Sequence, residues 1–494
     1  MGRSSKLNKQ TAPEEPITAL FETILADVIN AMQMPSKDWF ALSKTPLVPL
    51  AIPIDDGHEY RVTQTGVDAA HKIAGQTWDS RKDLQQTITR EAFTKIAFRG
   101  IGLALRDCRS HSPAEISPDT ELNSAFYAKI AADYQTNLDR LAAAARPDLD
   151  RHFPCHLFHT KEAVPAFSVG PVEFLPRADW IVRYVKDQTV RGYIAQVENG
   201  ALASDSLRKQ AFVPQSDRSL HDAWDILSWL QTHTWVATIR MKGHELSQSH
   251  QKASIIVGLA LDAIGLRFQV EDARRFAKAG RQHLYAEDRM ATTKTGQFLK
   301  GWSVQMPGIG AAPGVLAAMM QSEQSFLDAA GNVLQAYVDG RQTSSAHPLI
   351  ERWANALYWV GEARREASDF MAVVKYGCAA DGLSGAGGDA KVMTTFAEAA
   401  LNPKGTPTPP NTLSIDDAVT TVYREGRNKL AHGEMAGLLE DVSKIRTVGD
   451  NLLVLLFDVV TFELDTVINT RKEILTLPEK IAYRALEARL KQRP

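Results

Sequence analysis

The sequence predicts an α+β N-terminal region followed by an all-α C-terminal helical bundle. Strand-and-turn texture is confined to positions before about residue 310. Beyond residue 317 apolar residues recur at helical spacing instead. The breaks between those helical segments are short, as between antiparallel neighbours in a bundle.

Residues 1–15 are polar and read as a disordered lead-in, and 16–34 have the period of an amphipathic helix. Residues 78–108 and 119–146 are rich in Ala and Leu and helical in period. The texture then changes. "AVPAFSVGPVEFLPRADWIVRYV" (163–185) has short β-branched and aromatic runs cut by Gly and Pro, a strand-and-turn signature. "HTWVATIRM" (233–241) reads as another strand, followed by a helix through "HQKASIIVGLALDAIGL". Residues 16–310 are thus expected to be a mixed α/β region of one or two domains.

Helical segments are expected over roughly 317–338, 348–367, 369–384, 390–400, 414–432, 437–470 and 478–492. They break at "DGRQTSSAHP", "LSGAGGD", "NPKGTPTPPNT" and "LTLPE", which places the helical domain at 317–494 and its boundary near 310–345. No internal repeat is evident.

Composition narrows the function classes. A chain of 494 residues suggests roughly two to four domains. Its 44% hydrophobic and 23% charged content is that of an ordinary folded, soluble protein. Cys108, Cys155 and Cys378 are far apart and form no CxxC pair, which argues against a disulfide scaffold and fits a reducing compartment. The N-terminal stretch has no apolar h-region, and the longest apolar run, "NLLVLLFDVVTF", is too short to span a bilayer. A cytoplasmic protein without membrane partners is expected. Net charge is −2, so a nucleic-acid partner would need a local basic patch.

Several tempting motifs fail. "HELSQSH" (244–250) opens like a zincin, but its histidines are six apart, about 240° round a helix, where zinc needs i and i+4. "GLSGAGGDAK" (382–391) has Gly388 where a phosphate loop needs Lys, and no strand precedes it. "PGIGAAPG" (307–314) lacks the strand and the full glycine pattern of a dinucleotide site. No cofactor and no metal are expected.

Arg followed by His after five or six residues occurs five times, at Arg106/His111, Arg146/His152, Arg151/His156, Arg341/His347 and Arg427/His432. Spacing alone therefore says little. Pro147 and Pro154 break up the second and third, and the fourth lies in a Ser-rich loop ending at Pro348. The first sits at a helix end and is the best decoy. The fifth has more support. Ser414 is a natural N-cap, and Asp416 and Asp417 suit the first turn. Ile415, Ala418, Val419, Val422, Gly426 and Leu430 make a buried stripe, with Tyr423, Arg427 and Ala431 one turn apart beside it. Gly433 would stop the helix. On an ideal helix His432 sits about 140° from Arg427.

"YREGRNKLAHG" (423–433) resembles the signature of HEPN domains, an Arg, a polar residue, a short spacer and a His. "ALYWVGEARREASDFMAVVKYGCAADGLSG" (356–385) is similar to the helix pair of the Apea-like branch. There the family's Ala-Leu-Glu-type slot reads Ala379-Ala380-Asp381-Gly382-Leu383, with Asp for the usual Glu. The resemblance covers roughly 345–470. It implies metal-independent RNA cleavage by an endoribonuclease, of the kind found in anti-phage and toxin effectors. It further implies a sensing or regulatory role for residues 16–310 and a homodimer through the helical domain, placing two motifs in one cleft. RNA, tRNA included, is the expected substrate and a phage-derived factor the expected trigger.

The residues make chemical sense of that activity. Cutting RNA without metal requires the 2′-OH to lose a proton as it attacks phosphorus, and a histidine with pKa near 6.5 can take it. A guanidinium offers a charged planar fork to the oxygens that gain charge. His432 is assigned as base, or as acid for the leaving 5′-oxygen, Arg427 as charge stabiliser and Asn428 as positioner. From Arg471 to Arg493 seven Lys/Arg face three Glu, giving +4. That tail is either a solvated face or an RNA-backbone contact. The alternative to an enzyme is a catalytically inactive HEPN module that dimerises or binds nucleotide or RNA.

Overall fold

A computed structural model describes residues 15–34, 50–54, 57–111, 124–159, 164–280, 286–304, 306–343, 346–402, 413–431, 433 and 440–493. Most of the lead-in, most of the Pro-rich break and His432 lie outside the described residues. The protein is predominantly helical, with small antiparallel sheets.

The chain forms two compact units, 1–149 with 241–251, and 150–240 with 252–494. The first gathers the helices Ile17–Gln33, Gln64–Ser80, Arg90–His111 and Ser124–Ala144 with a hairpin of β1 (Ala51–Pro53) and β2 (Glu59–Arg61). Phe21, Ile24, Ile73, Phe93, Ile101, Tyr134 and Leu138 fill its core. Asp27, buried, accepts from the Thr63 amide (2.6 Å), the Thr63 hydroxyl (2.6 Å) and the Gly66 amide (3.2 Å). It thereby satisfies amides at the start of Gln64–Ser80 that the helix itself leaves unpaired.

The second unit holds a five-stranded sheet of β3 (Leu149–His156), β4 (Phe167–Val169), β5 (Val172–Pro176), β6 (Trp235–Met241) and β7 (Ala277–Lys278), in the order β4-β5-β6-β3-β7. Phe158, Phe167, Trp235, Phe268 and Phe276 pack ring against ring beside it. A separate hairpin pairs β8 (Ala286–Thr292) with β9 (Phe298–Val304).

The stretch 163–185 is only partly strand. Arg177–Tyr184 is a helix, because Pro176 presets its entry and Asp179 suits its first turn. Three more helices follow, Gln188–Glu198, Ser204–Ala211 and Arg218–Leu230, with their own core of Trp180, Ile194, Leu207, Leu227 and Leu230.

The bundle comprises Gln324–Thr343, Pro348–Arg365, Asp369–Ser384, Ala390–Leu401, the helix 415–431, Ser443–Thr470 and Glu479–Lys491. Trp353, Leu357, Val360, Tyr376, Phe457 and Leu464 are its core. Sheet and bundle belong to one unit. Gly170, at the β4–β5 turn with φ 57°, lies so close to Gly331 that a Cβ on either would collide with the other's backbone. The boundary expected near 310–345 therefore falls inside this unit.

Buried charge ties the bundle to the segment before it. Arg364 donates to both Asp450 oxygens (2.7 and 2.8 Å) and to the carbonyl oxygen of Phe268 (3.1 Å), and Tyr376 donates to Asp450 at 2.8 Å. Arg365 pairs with the fully buried side chain of Asp262. Every one of these cations is matched by a carboxylate, which is what a low-dielectric site requires.

Candidate active site

The segment carrying the Arg427 motif is not the regular α-helix expected. Ser414 caps it as expected, accepting from the Asp417 amide at 3.1 Å. Ile415–Val419 is α-helical, Thr420–Asn428 then runs in π register, and Lys429–Ala431 returns to α. β-Branched Thr420, Thr421 and Val422 are weak α-formers, and Gly426 has no Cβ to resist the wider turn. The regular 3.6-residue turn on which the angular offset between positions 427 and 432 is reckoned does not hold over Thr420–Asn428. Val419, Val422, Tyr423 and Gly426 are buried, whereas Ile415, Ala418 and Leu430 are only half-buried.

Helix 369–384 presses against this segment through two glycines. A Cβ on Gly426 would collide with Val373, and one on Gly377 would collide with Arg427 Cβ and Cγ. Gly377 thus allows the stem of Arg427 to lie flat across the neighbouring helix. Nothing in the sequence around Gly377 marked it for that role.

Arg427 is half-buried, and its guanidinium is held by uncharged groups. Nη1 donates to Asn428 Oδ1 (2.9 Å) and to the Tyr423 hydroxyl (3.3 Å), and Cζ lies 5.3 Å from the Tyr423 ring centre. Among the described residues no carboxylate pairs with Arg427, and no acceptor is bonded to its Nε or Nη2. Arg364, Arg365 and Arg446, in the same bundle, are each paired with an Asp. The contrast is chemical. A cation left with free donors in a partly desolvated place is suited to an incoming anion.

Tyr423 is buried and forms the floor beneath the guanidinium. Burial raises its hydroxyl pKa, the positive charge of Arg427 lowers it, and Asp381, Cys378 and Asp389 raise it further. It stays a neutral hydroxyl, accepting from Arg427. Asp381, in the Ala-Ala-Asp slot, accepts from the Gly388 amide at 2.9 Å. Gly385, Gly387 and Gly388 all have positive φ in this loop, and a Cβ on Gly388 would meet the Tyr423 hydroxyl at 3.3 Å. Asp381 therefore has a local task, closing the loop that packs against Tyr423. Asp389 then caps Ala390–Leu401.

The structure brings together Arg427 and Asn428, two of the three site residues expected. His432, the third, lies outside the described residues, as do 434–439. The basic tail is partly spent within the chain. Arg489 pairs with Glu463, and Lys491 with Glu487 at 2.6 Å. Lys472, Lys480 and Arg484 remain exposed. His244 and His250 form no metal cluster, and among the described residues no group of three His, Cys, Asp or Glu is placed to hold one. No helix among the described residues is long and apolar enough to cross a membrane. Comparison of the chain with protein-family models, curated proteins and solved structures returns no match.

Proposed function

We propose that the chain is a metal-independent endoribonuclease of the HEPN type, with Arg427, Asn428 and His432 at its centre. The observation that carries the reading is the state of Arg427, fixed by a tyrosine and an asparagine and unneutralised by any carboxylate among the described residues. The motif's resemblance to the HEPN signature supports it. The 2′-oxygen attacks phosphorus while His432 accepts its proton, and the bond to the 5′-oxygen breaks as that oxygen gains a proton. Arg427 meets the charge gathering on the non-bridging oxygens. Asn428 fixes the guanidinium through its Oδ1. A homodimer through the helical domain would present two such motifs to one RNA, and an anti-phage or toxin role, with the N-terminal region restraining activity, fits a nuclease of this kind.

The test is to sequence RNA ends from cells expressing wild type or His432→Ala. New ends confined to the wild type, with growth arrest that the variant relieves, are the expected outcome. Identical end profiles and equal growth would remove the enzyme reading and leave a binding module.

A further inference from the structure

The four helices between Arg177 and Leu230 form a lobe inserted between β5 and β6, and histidines join that lobe to β3. On β3, His152 Nδ1 accepts from Trp180 Nε1 at 3.1 Å, with the Thr238 hydroxyl 3.0 Å away. An indole N–H only donates, so this nitrogen carries a lone pair and the ring is neutral. Tyr184 closes on the same imidazole, with ring centres 4.4 Å apart. Further along β3, His156 stacks on His233 with ring centres 4.3 Å apart, and both are buried. His233 Nδ1 donates to the Leu230 carbonyl at 3.0 Å, where the last helix of the lobe ends.

The exit from the lobe is a constrained turn. Gln231 has φ 46°, a conformation rare outside glycine that persists where the surroundings hold it. Arg177, at the entry, donates to the Gln231 carbonyl (2.7 Å), and its amide donates to the Thr234 carbonyl (2.9 Å).

The charges around the imidazoles favour their neutral forms. At His152 the effects of Asp150 and Arg151 oppose each other, and Arg183, over the Tyr184 ring, is paired with Glu173. His159 and His233 act on His156, and Lys278 follows its strand partner Ala277 on β7. Arg177, paired with Glu198, acts on His233. Among the described residues no carboxylate is bonded to His152 or His156. Burial holds the pKa of each down at about 4, below the ordinary 6.5, and lowers that of His233.

We propose that His152, His156 and His233 form a proton-operated latch, which holds the Arg177–Leu230 lobe on the sheet when neutral and releases it when protonated. A proton on His152 Nδ1 turns the acceptor of Trp180 into a second donor facing it. A proton on His156 puts a charge into a buried stack. Released rings regain their ordinary pKa, so release takes up protons. It is disfavoured above the ordinary pKa and gains ground as pH falls from there toward the folded value. The latch is independent of any chemistry at Arg427.

Hydrogen–deuterium exchange of the full-length chain at about pH 7.4 and about pH 5, with labelling times scaled for the intrinsic rates, tests it. Peptides from Arg177–Leu230 are expected to lose protection about tenfold or more at the lower pH, while those from Arg90–His111 keep theirs. His152→Asn keeps an acceptor for the indole and His156→Phe keeps a stacked ring, and neither titrates. The double variant should hold its lobe protected at the lower pH. His152→Asn alone should cut the wild-type change several-fold, and it carries the test if the double variant does not fold. Equal protection of the wild-type lobe at both pH values overturns the proposal. So does protection lost evenly along the whole chain, or variants whose lobes open in acid as the wild type's does.

Discussion

Arg427→Ala is expected to slow RNA cleavage by about 10²–10³-fold, the usual cost of removing one preorganised donor from a developing oxyanion. Stability should fall by only about 1–2 kcal/mol, because the lost bonds are two to neutral acceptors at about 1 kcal/mol net each. Cleavage rates and urea denaturation of the same preparations separate the two effects. Arg427→Lys should recover only part of the activity, since an ammonium cannot reproduce a planar fork held at one end by Asn428. An alanine variant as active as wild type, or one whose inactivity simply follows unfolding, would count against the role given to this side chain.

The largest stability effect is expected from Asp450→Ala. Arg364 is only 5% exposed, and Asp450 is its sole carboxylate among the described residues. Removing that partner leaves a buried guanidinium uncompensated and the Tyr376 hydroxyl without its acceptor, which costs about 3–5 kcal/mol. Glu425→Ala is the natural comparison, because it removes an exposed pair with Lys429 worth about 0–1 kcal/mol. Denaturation midpoints of the two variants should differ accordingly. Equal midpoints would mean that the polar core of the bundle is not what joins Pro348–Arg365 to Ser443–Thr470.

Much of the fold is legible because local signals agree with one another. The helix expected at 369–384 is Asp369–Ser384, since Ser368 caps its start and Gly385 takes the left-handed conformation at its end. Strands fall before residue 310 and long helices after it among the described residues, as period and turn residues imply. The four helices between Arg177 and Leu230 are harder to see. They run only 8–13 residues, and aromatic and β-branched residues in the first of them mimic strand.

The π register over Thr420–Asn428 left no readable trace, because weak α propensity does not say which bonding pattern replaces it. The Arg364–Asp450 pair joins residues 86 positions apart, and no local pattern encodes such a match. At the candidate site the i,i+4 alignment of Tyr423 and Arg427 could be read from spacing, and the two side chains do bond. Gly377 could not. Its role exists only once two helices are packed.

The most direct measurement is the end chemistry of RNA cut by the purified full-length protein in EDTA. In-line attack by the 2′-oxygen, with His432 and Arg427 alone managing proton and charge, leaves a 2′,3′-cyclic phosphate and a 5′-hydroxyl, and these ends should vanish in Arg427→Ala and His432→Ala. Products bearing 3′-hydroxyl and 5′-phosphate ends, or cutting that stops when EDTA is added, would contradict it.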